Sequence, residues 1–181
     1  GKNIKQSVLS LLKKQHGEAN ELFPVHRLDR QTSGVLLLAK NKTALAILQM
    51  QFEKRQTKKE YVALLDGVMT EKEGKIVLPL ATDYSDRPRQ LICFERGKYA
   101  ETKYKLIGVE EGVSRVRFYP KTGRSHQLRA HSAFHDGLNM AIVGDDLYGR
   151  HHDRMYLHAE KLVFTHPETR HEVVISAPTP F

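Results

Sequence analysis

What the sequence lacks sets the first limits. Its 181 residues include one cysteine, Cys93. That excludes an internal disulfide and any cysteine-rich zinc centre, and it suits a reducing compartment. No apolar run approaches the roughly 20 residues that span a bilayer, and the start of the chain carries no apolar core of a secretory signal. Internal repeats and compositional bias toward disorder are absent. Acids are the scarcer charge: 21 Asp and Glu stand against 29 Lys and Arg, for a net charge of +8. Such a surplus favours a polyanionic partner, nucleic acid before an acidic membrane surface. The expectation is a cytoplasmic protein with no membrane association, and the length suits one domain with a real core.

Apolar periodicity predicts the elements. Ile4, Val8, Leu11 and Leu12 recur at helical spacing within residues 2–15, an amphipathic helix with Lys5, Lys13 and Lys14 toward solvent and a stop at His16-Gly17-Glu18. The run 35–39 reads as a buried strand after the Ser33-Gly34 turn. A second helix is predicted over 42–55, striped by Ala44, Leu45, Leu48 and Phe52. Strands are expected at 60–67, 75–80, 90–94, 102–109, 114–119, 156–165 and 171–177. Their short connections favour antiparallel hairpins over parallel crossovers. After Thr122-Gly123, the spacing of Leu128, His131, Phe134 and Leu138 predicts a turn entering a helix.

Three segments carry chemistry. In the first, 25–34, Asp29 stands between Arg27 and Arg30 in a short polar stretch at the rim of the core. Neighbouring cations favour the ionised carboxylate, which suits a nucleophile or electrostatic stabiliser better than a general acid. The plain alternative is a surface ion pair of little energetic weight. In the second, Tyr61 follows Lys58 and Lys59 into a strand, either as a half-buried packing residue or as an aromatic face for a displaced base. The third, 120–131, lies in a cationic block: residues 114–135 hold five Lys or Arg and no acid. A helix start flanked by Lys121 and Arg124 can seat a phosphate. Arg129 has Ser125 and Ala133 as helical neighbours, which leaves its guanidinium room to approach a carboxylate.

Weaker signals lie elsewhere. The polar loop 82–89 is a plain connection, or one whose Arg87 and Arg89 hold phosphates. His131 and His135 have the spacing of a helical zinc pair, but neither a cysteine cluster nor a glutamate-bearing zinc pattern accompanies them, so no metal is expected. Asp145 and Asp146 invite a magnesium reading, yet adjacent acids in a turn are ordinarily solvated.

His26-Arg27-Leu28-Asp29-x-x-Thr32-Ser33-Gly34, Lys58-Lys59-x-Tyr61-x-Ala63 and Thr122-Gly123-Arg124-Ser125-His126-Gln127-Leu128-Arg129-Ala130-His131 resemble, in order and spacing, the motifs of RluA-type pseudouridine synthases. Gly144-Asp145-x-x-Tyr148-Gly149 and Leu157-His158-Ala159 match as well, so the resemblance spans nearly the whole chain. It implies an α+β pseudouridine synthase fold: a mixed, mostly antiparallel sheet with flanking helices and a basic cleft. It also implies isomerisation of uridine in structured RNA without a cofactor. Asp29 would be the essential carboxylate, attacking C1′ or C6 or removing a C2′ proton; the sequence leaves all three routes open.

By the same resemblance Arg27 fills the space left by the extruded base, Tyr61 packs on the uracil, Leu128 lines its pocket, and Arg129 keeps Asp29 ionised and aimed. Lys58, Lys59, Arg87, Arg89, Lys121 and Arg124 are candidate phosphate contacts, and His126 faces RNA. No second carboxylate is expected at the site, in contrast to hydrolytic glycosidases. The stretch 78–104 leans toward members acting on large-subunit ribosomal RNA and a tRNA anticodon stem-loop. The family's usual opening strand, with its Asn-Lys-Pro-x-Gly type motif, and the RNA-binding domain added in many members do not occur in 1–181. The expectation is therefore a catalytic domain trimmed at its N-terminus, acting as a monomer. Two rivals remain: a non-catalytic RNA-binding module, and a metal-dependent nuclease using the histidines with Asp145 and Asp146.

Overall fold

The computed structural model describes residues 8–16 and 21–181, with side chains for 8–12 and from 21 onward. α1 (Val8–His16) is followed by three short strands, β1 (Phe23–Pro24), β2 (Ser33–Gly34) and β3 (Leu38–Ala39), and by α2 (Lys42–Glu53). Then come β4 (Lys58–Asp66), β5 (Glu73–Val77), β6 (Leu80–Thr82), β7 (Gln90–Ile92), β8 (Glu101–Glu110) and β9 (Val113–Pro120). A short α3 (Gln127–Ala133) precedes β10 (Leu157–Thr165) and β11 (Glu172–Ser176).

Seven strands form the main sheet in the order β11-β10-β4-β9-β8-β5, with β2 joined to β10 off that path. β2 and β10 run parallel, and the other pairs are antiparallel. This is the mixed, mostly antiparallel α+β sheet expected from sequence. β9 shows the cause, burying Ser114, Val116, Phe118 and Pro120 while the alternate residues stay half-exposed, the period of two of a pleated strand. The register sets Tyr61 beside Phe118 and Ala63 beside Val116 on one face. There Ala63, Leu65, Phe118, Leu128, Met155 and Leu157 make one core cluster. A second joins Leu48 of α2 to Val25, Ala39, Leu162 and Phe164, with Phe52 packed against it. The other face is charged: Arg117 reaches Glu160 at 2.8 Å and Lys161 reaches Glu60 at 3.1 Å.

Several boundaries differ from the sequence reading. The run 35–39 is not one strand. Residues 33–34 pair with β10 and 38–39 with β1, so the chain crosses between two sheets. The strand expected at 75–80 divides at Leu78-Pro79, where the chain leaves the sheet for the β6–β7 hairpin. α3 ends at Ala133 because Phe134 turns to extended backbone. In α1, Val8 and Leu11 are 53% and 48% exposed, so that part of the apolar stripe is uncovered. The predicted roles of Ile4 and Lys5, the side chains of Lys13 and Lys14, and the stop at Gly17-Glu18 lie outside the described residues. Among those described, no helix is long and apolar enough to cross a membrane.

Candidate active site

The segment bearing Asp29 is a loop closed at its base. Val25 N donates to the Leu37 carbonyl at 3.1 Å, and Leu37 N donates to His26 Nε2 at 3.1 Å. Accepting that bond requires a bare Nε2, so this imidazole is neutral. Burial, the largest influence, lowers its pKa, and the ring stacks on Phe52 with centroids 4.9 Å apart. The far end of the loop is fixed at Gly34, whose φ of +110° and contact with the Ala159 carbonyl exclude a Cβ. Ser33 Oγ accepts from Arg154 at 2.9 Å and stands 2.8 Å from His158 Nδ1. The Ala177 carbonyl can only accept, so His158 Nε2 carries a hydrogen and donates to it at 3.0 Å. Between these anchors Thr32 N closes a turn onto the Asp29 carbonyl at 3.0 Å. Asp29 thus stands on a short, tethered loop.

Arg129 comes from α3 across the cleft. Its Nη1 lies 3.7 Å from Asp29 Oδ2, a charge pair without a hydrogen bond. Its stronger tie is to Asp145, a bidentate pair with Nε–Oδ2 at 2.8 Å and Nη2–Oδ1 at 2.7 Å. Asp145 Oδ1 also accepts from Leu147 N and Tyr148 N, at 3.0 and 3.1 Å. This corrects the expectation that both acids of the 144–149 turn are solvated: Asp145 is fully buried and Asp146 exposed. A second carboxylate therefore does lie near the site, but behind Arg129. Among the cleft-lining residues Asp29 is the acid. Asp146 has a separate use, accepting from Gln31 of the Asp29 loop at 2.8 Å. Neighbouring residues of one turn hold both halves of the site.

β4 supplies the adjoining wall. Strand alternation turns Lys59 and Tyr61 into the cleft. Burial, aided by the negative charge of Asp29, pushes the Tyr61 hydroxyl up to about 12. Burial, aided by Arg55, pulls Lys59 down to about 8, while its Nζ donates to the Thr122 carbonyl at 3.1 Å. The turn before α3 is locked by buried Gln127. Its Oε1 accepts from Thr122 Oγ1 at 2.7 Å and Arg124 N at 3.0 Å, and its Nε2 donates to the Glu101 carbonyl at 3.0 Å. His126 caps α3 with φ at +52°. Its Nδ1 stands 3.1 Å from the Tyr148 hydroxyl. Burial lowers the His126 pKa, opposed by Asp29. Burial likewise pushes Tyr148 up to about 12, and the Arg129 guanidinium lies 5.3 Å from its ring centroid.

The resulting cleft measures about 620 Å³ with its mouth included. It brings together Arg27, Asp29, Lys59, Tyr61, Arg124, His126, Leu128 and Arg129. Lys121 lines the adjoining chamber. Three of the proposed phosphate contacts line neither chamber. Lys58 alternates away and pairs with Glu172 at 3.8 Å. Arg87, on the exposed stretch 84–88, lies over the Tyr84 ring at 4.8 Å. Arg89 pairs with Asp86 at 3.3 Å. The histidines of the zinc alternative are dispersed in role: His131 is buried against Thr102 and the Leu78 carbonyl, while the His135 side chain is 91% exposed. Sequence reasoning missed Asp145, Gln127, Tyr148 and Arg55 as site residues. Of these, Asp145 and Tyr148 stood in a matched motif and Gln127 in another.

Comparison with known proteins agrees with the geometry. The family model described as RNA pseudouridylate synthase matches residues 1–134. The dual-specificity RNA pseudouridine synthase RluA of Pasteurella multocida is 42% identical over 97% of this chain and 80% of its own length. Its namesake from Escherichia coli K12 is 39% identical over 98% and 81%. Human RNA Pseudouridylate Synthase Domain Containing 1 superposes with a TM-score of 0.81 at 30% identity, covering 96% of this chain and 75% of that one. With its cleft, its motifs and these relatives in agreement, the chain belongs to the RluA-type RNA pseudouridine synthase family, and the reaction it catalyses is an isomerisation of uridine in RNA.

Proposed function

We propose that Asp29 is the catalytic carboxylate, that Tyr61 stacks on the extruded uracil, and that Arg129 keeps Asp29 ionised and aimed. The observation that carries this reading is the meeting of Asp29 with Arg129 at 3.7 Å in a cleft also walled by Tyr61 and Leu128. In the reaction the N1–C1′ bond breaks, the uracil turns within the pocket, and C5 bonds to C1′. C5 loses a proton and N1 gains one, so no redox partner or group donor is needed. Extruding the base costs a few kcal/mol, which the uracil's stacking on Tyr61 and the charged walls offset. Arg27 enters the vacated stack, Leu128 bounds the uracil, and His126, Lys59, Lys121 and Arg124 meet the RNA backbone.

The substrates proposed are large-subunit ribosomal RNA and a tRNA stem-loop. Two lines support them: relatives named dual-specificity synthases, and the character of residues 78–104. A cytoplasmic monomer suits both. The test is to incubate ribosomal RNA fragments and tRNA stem-loops with the protein and map pseudouridine by carbodiimide-dependent reverse-transcription stops. One modified uridine in each RNA class is expected. Modification of one class alone would refute dual specificity, and unmodified RNA of both classes would refute the proposed substrates.

A further inference from the structure

The cleft does not end at Lys59. Past that side chain lies a second chamber of about 1010 Å³ with its mouth included, lined by Phe52, Arg55, Lys121 and Arg124 among others. We propose that this chamber is a binding site for a backbone phosphate beside the target uridine, held by Arg55, Lys59 and Arg124. The proposal rests on the functional reading above.

Charge is the first argument. The walls carry Arg27, Arg55, Lys59, Lys121 and Arg124 against a single acid, Glu53. Lys121 is already paired with Glu101 at 3.3 Å. No carboxylate among the described residues pairs with Arg27, Arg55, Lys59 or Arg124. Lys59 is the cation withdrawn from water, and Arg55 repels it, so an anion is the missing partner.

Geometry is the second. The Arg55 guanidinium lies 5.7 Å from the centroid of the Tyr99 ring. The carbonyl of the same tyrosine accepts from Arg124 Nε at 2.9 Å. One residue thus steadies two arginines while leaving their terminal nitrogens free of carboxylates. Lys59 spends one donor on the Thr122 carbonyl, and an ammonium carries three. Lys59, Tyr61 and Arg124 line both chambers, so an anion held here lies next to the base pocket. That is where the sugar–phosphate chain of an extruded nucleotide must run. Two arginine forks and an ammonium match a phosphodiester's oxygens.

Protonation gives the site a signature. Lys59 is faced by Glu53 at the end of α2 and Arg55 just past it, by His26, Arg27 and Asp29 of the loop before β2, by Tyr61 on its own strand, and by Lys121, Arg124, His126 and Arg129 around the start of α3. Tyr61 is raised to about 12 and His26 is lowered. Burial has brought Lys59 to about 8, inside the window between pH 7 and 9. A bound phosphate favours the ammonium and raises that value. RNA binding is then accompanied by proton uptake: affinity is complete below about 8 and falls as pH rises through it.

The experiment measures affinity for a uridine-bearing RNA stem-loop at pH 7 and pH 9 in fixed salt, with tritium release from C5-labelled RNA recorded on the same preparations. The parent should lose about tenfold in affinity between these values. Lys59→Arg should bind with little pH dependence, because its cation does not titrate there. Arg55→Ala should bind several-fold more weakly and move the pH midpoint upward. A flat parent profile, or Lys59→Arg falling as steeply as the parent, would overturn the phosphate site. If such a parent still releases tritium, only this inference falls. If the affinities behave as expected but no tritium is released, the phosphate site stands and the catalytic reading fails.

Discussion

Two carboxylates flank one guanidinium in this protein, and they are built for opposite ends. Asp145 is fully buried, and its oxygens are taken up by two nitrogens of Arg129 and two backbone amides. Asp29 keeps a side chain 19% exposed, stands 3.7 Å from Arg129, and opens onto the cleft. The same residue type beside the same cation becomes framework in one loop and, in the proposed mechanism, the reactive group in the other. The difference lies in how many donors each carboxylate has been given. A saturated carboxylate is inert; one held by charge but short of donors retains lone pairs for chemistry.

That contrast can be broken most sharply at Asp29. Asp29→Asn should lower tritium release from C5-labelled RNA by about 10³-fold or more while leaving urea stability within about 1 kcal/mol of the parent. Asp145→Asn should reverse the emphasis. It leaves a buried arginine undercompensated, so urea unfolding should show a loss of about 3 kcal/mol, with activity falling as Arg129 loses its place. An inactive Asp145→Asn of parental stability would assign Asp145 to the chemistry instead. Tyr61→Leu should lower turnover by about 10²-fold through lost stacking, and Tyr61→Phe should stay near the parent. Equal losses would mean that the hydroxyl, not the ring face, is what matters. With that hydroxyl raised to about 12, the rate profile should show no limb from Tyr61 below about pH 10. The smallest effect belongs to the rim: Arg124→Ala should weaken RNA binding broadly and reduce its salt slope by about 1. An unchanged slope would remove Arg124 from the phosphate contacts.

The parts of this arrangement that were legible in sequence are those with local causes. The alternation of 114–119 announced β9, and the stripe through Leu45 and Leu48 announced α2. Parity was legible too. Once Tyr61 faces the cleft from a strand, Lys59 must share its face and Lys58 must not; that Lys58 stands outside the cleft follows from that rule alone. What escaped was decided by distant partners. Residues 35–39 look like a strand, but their ends pair with different sheets. Asp145 and Asp146 are indistinguishable neighbours, and what separates them is Arg129 reaching back from α3 to one of them. Arg55 lies in a basic run, 54–59, and nothing local singles it out there, because its ring contact is with Tyr99, distant in sequence.

In the proposed mechanism catalysis resides in Asp29 and not in the saturated carboxylate behind Arg129. The most direct measurement is tritium release from C5-labelled RNA by the parent and by Asp29→Asn, with both proteins shown to be folded and RNA-binding. Release by the parent alone is the predicted result. Release at the parental rate by Asp29→Asn would contradict it.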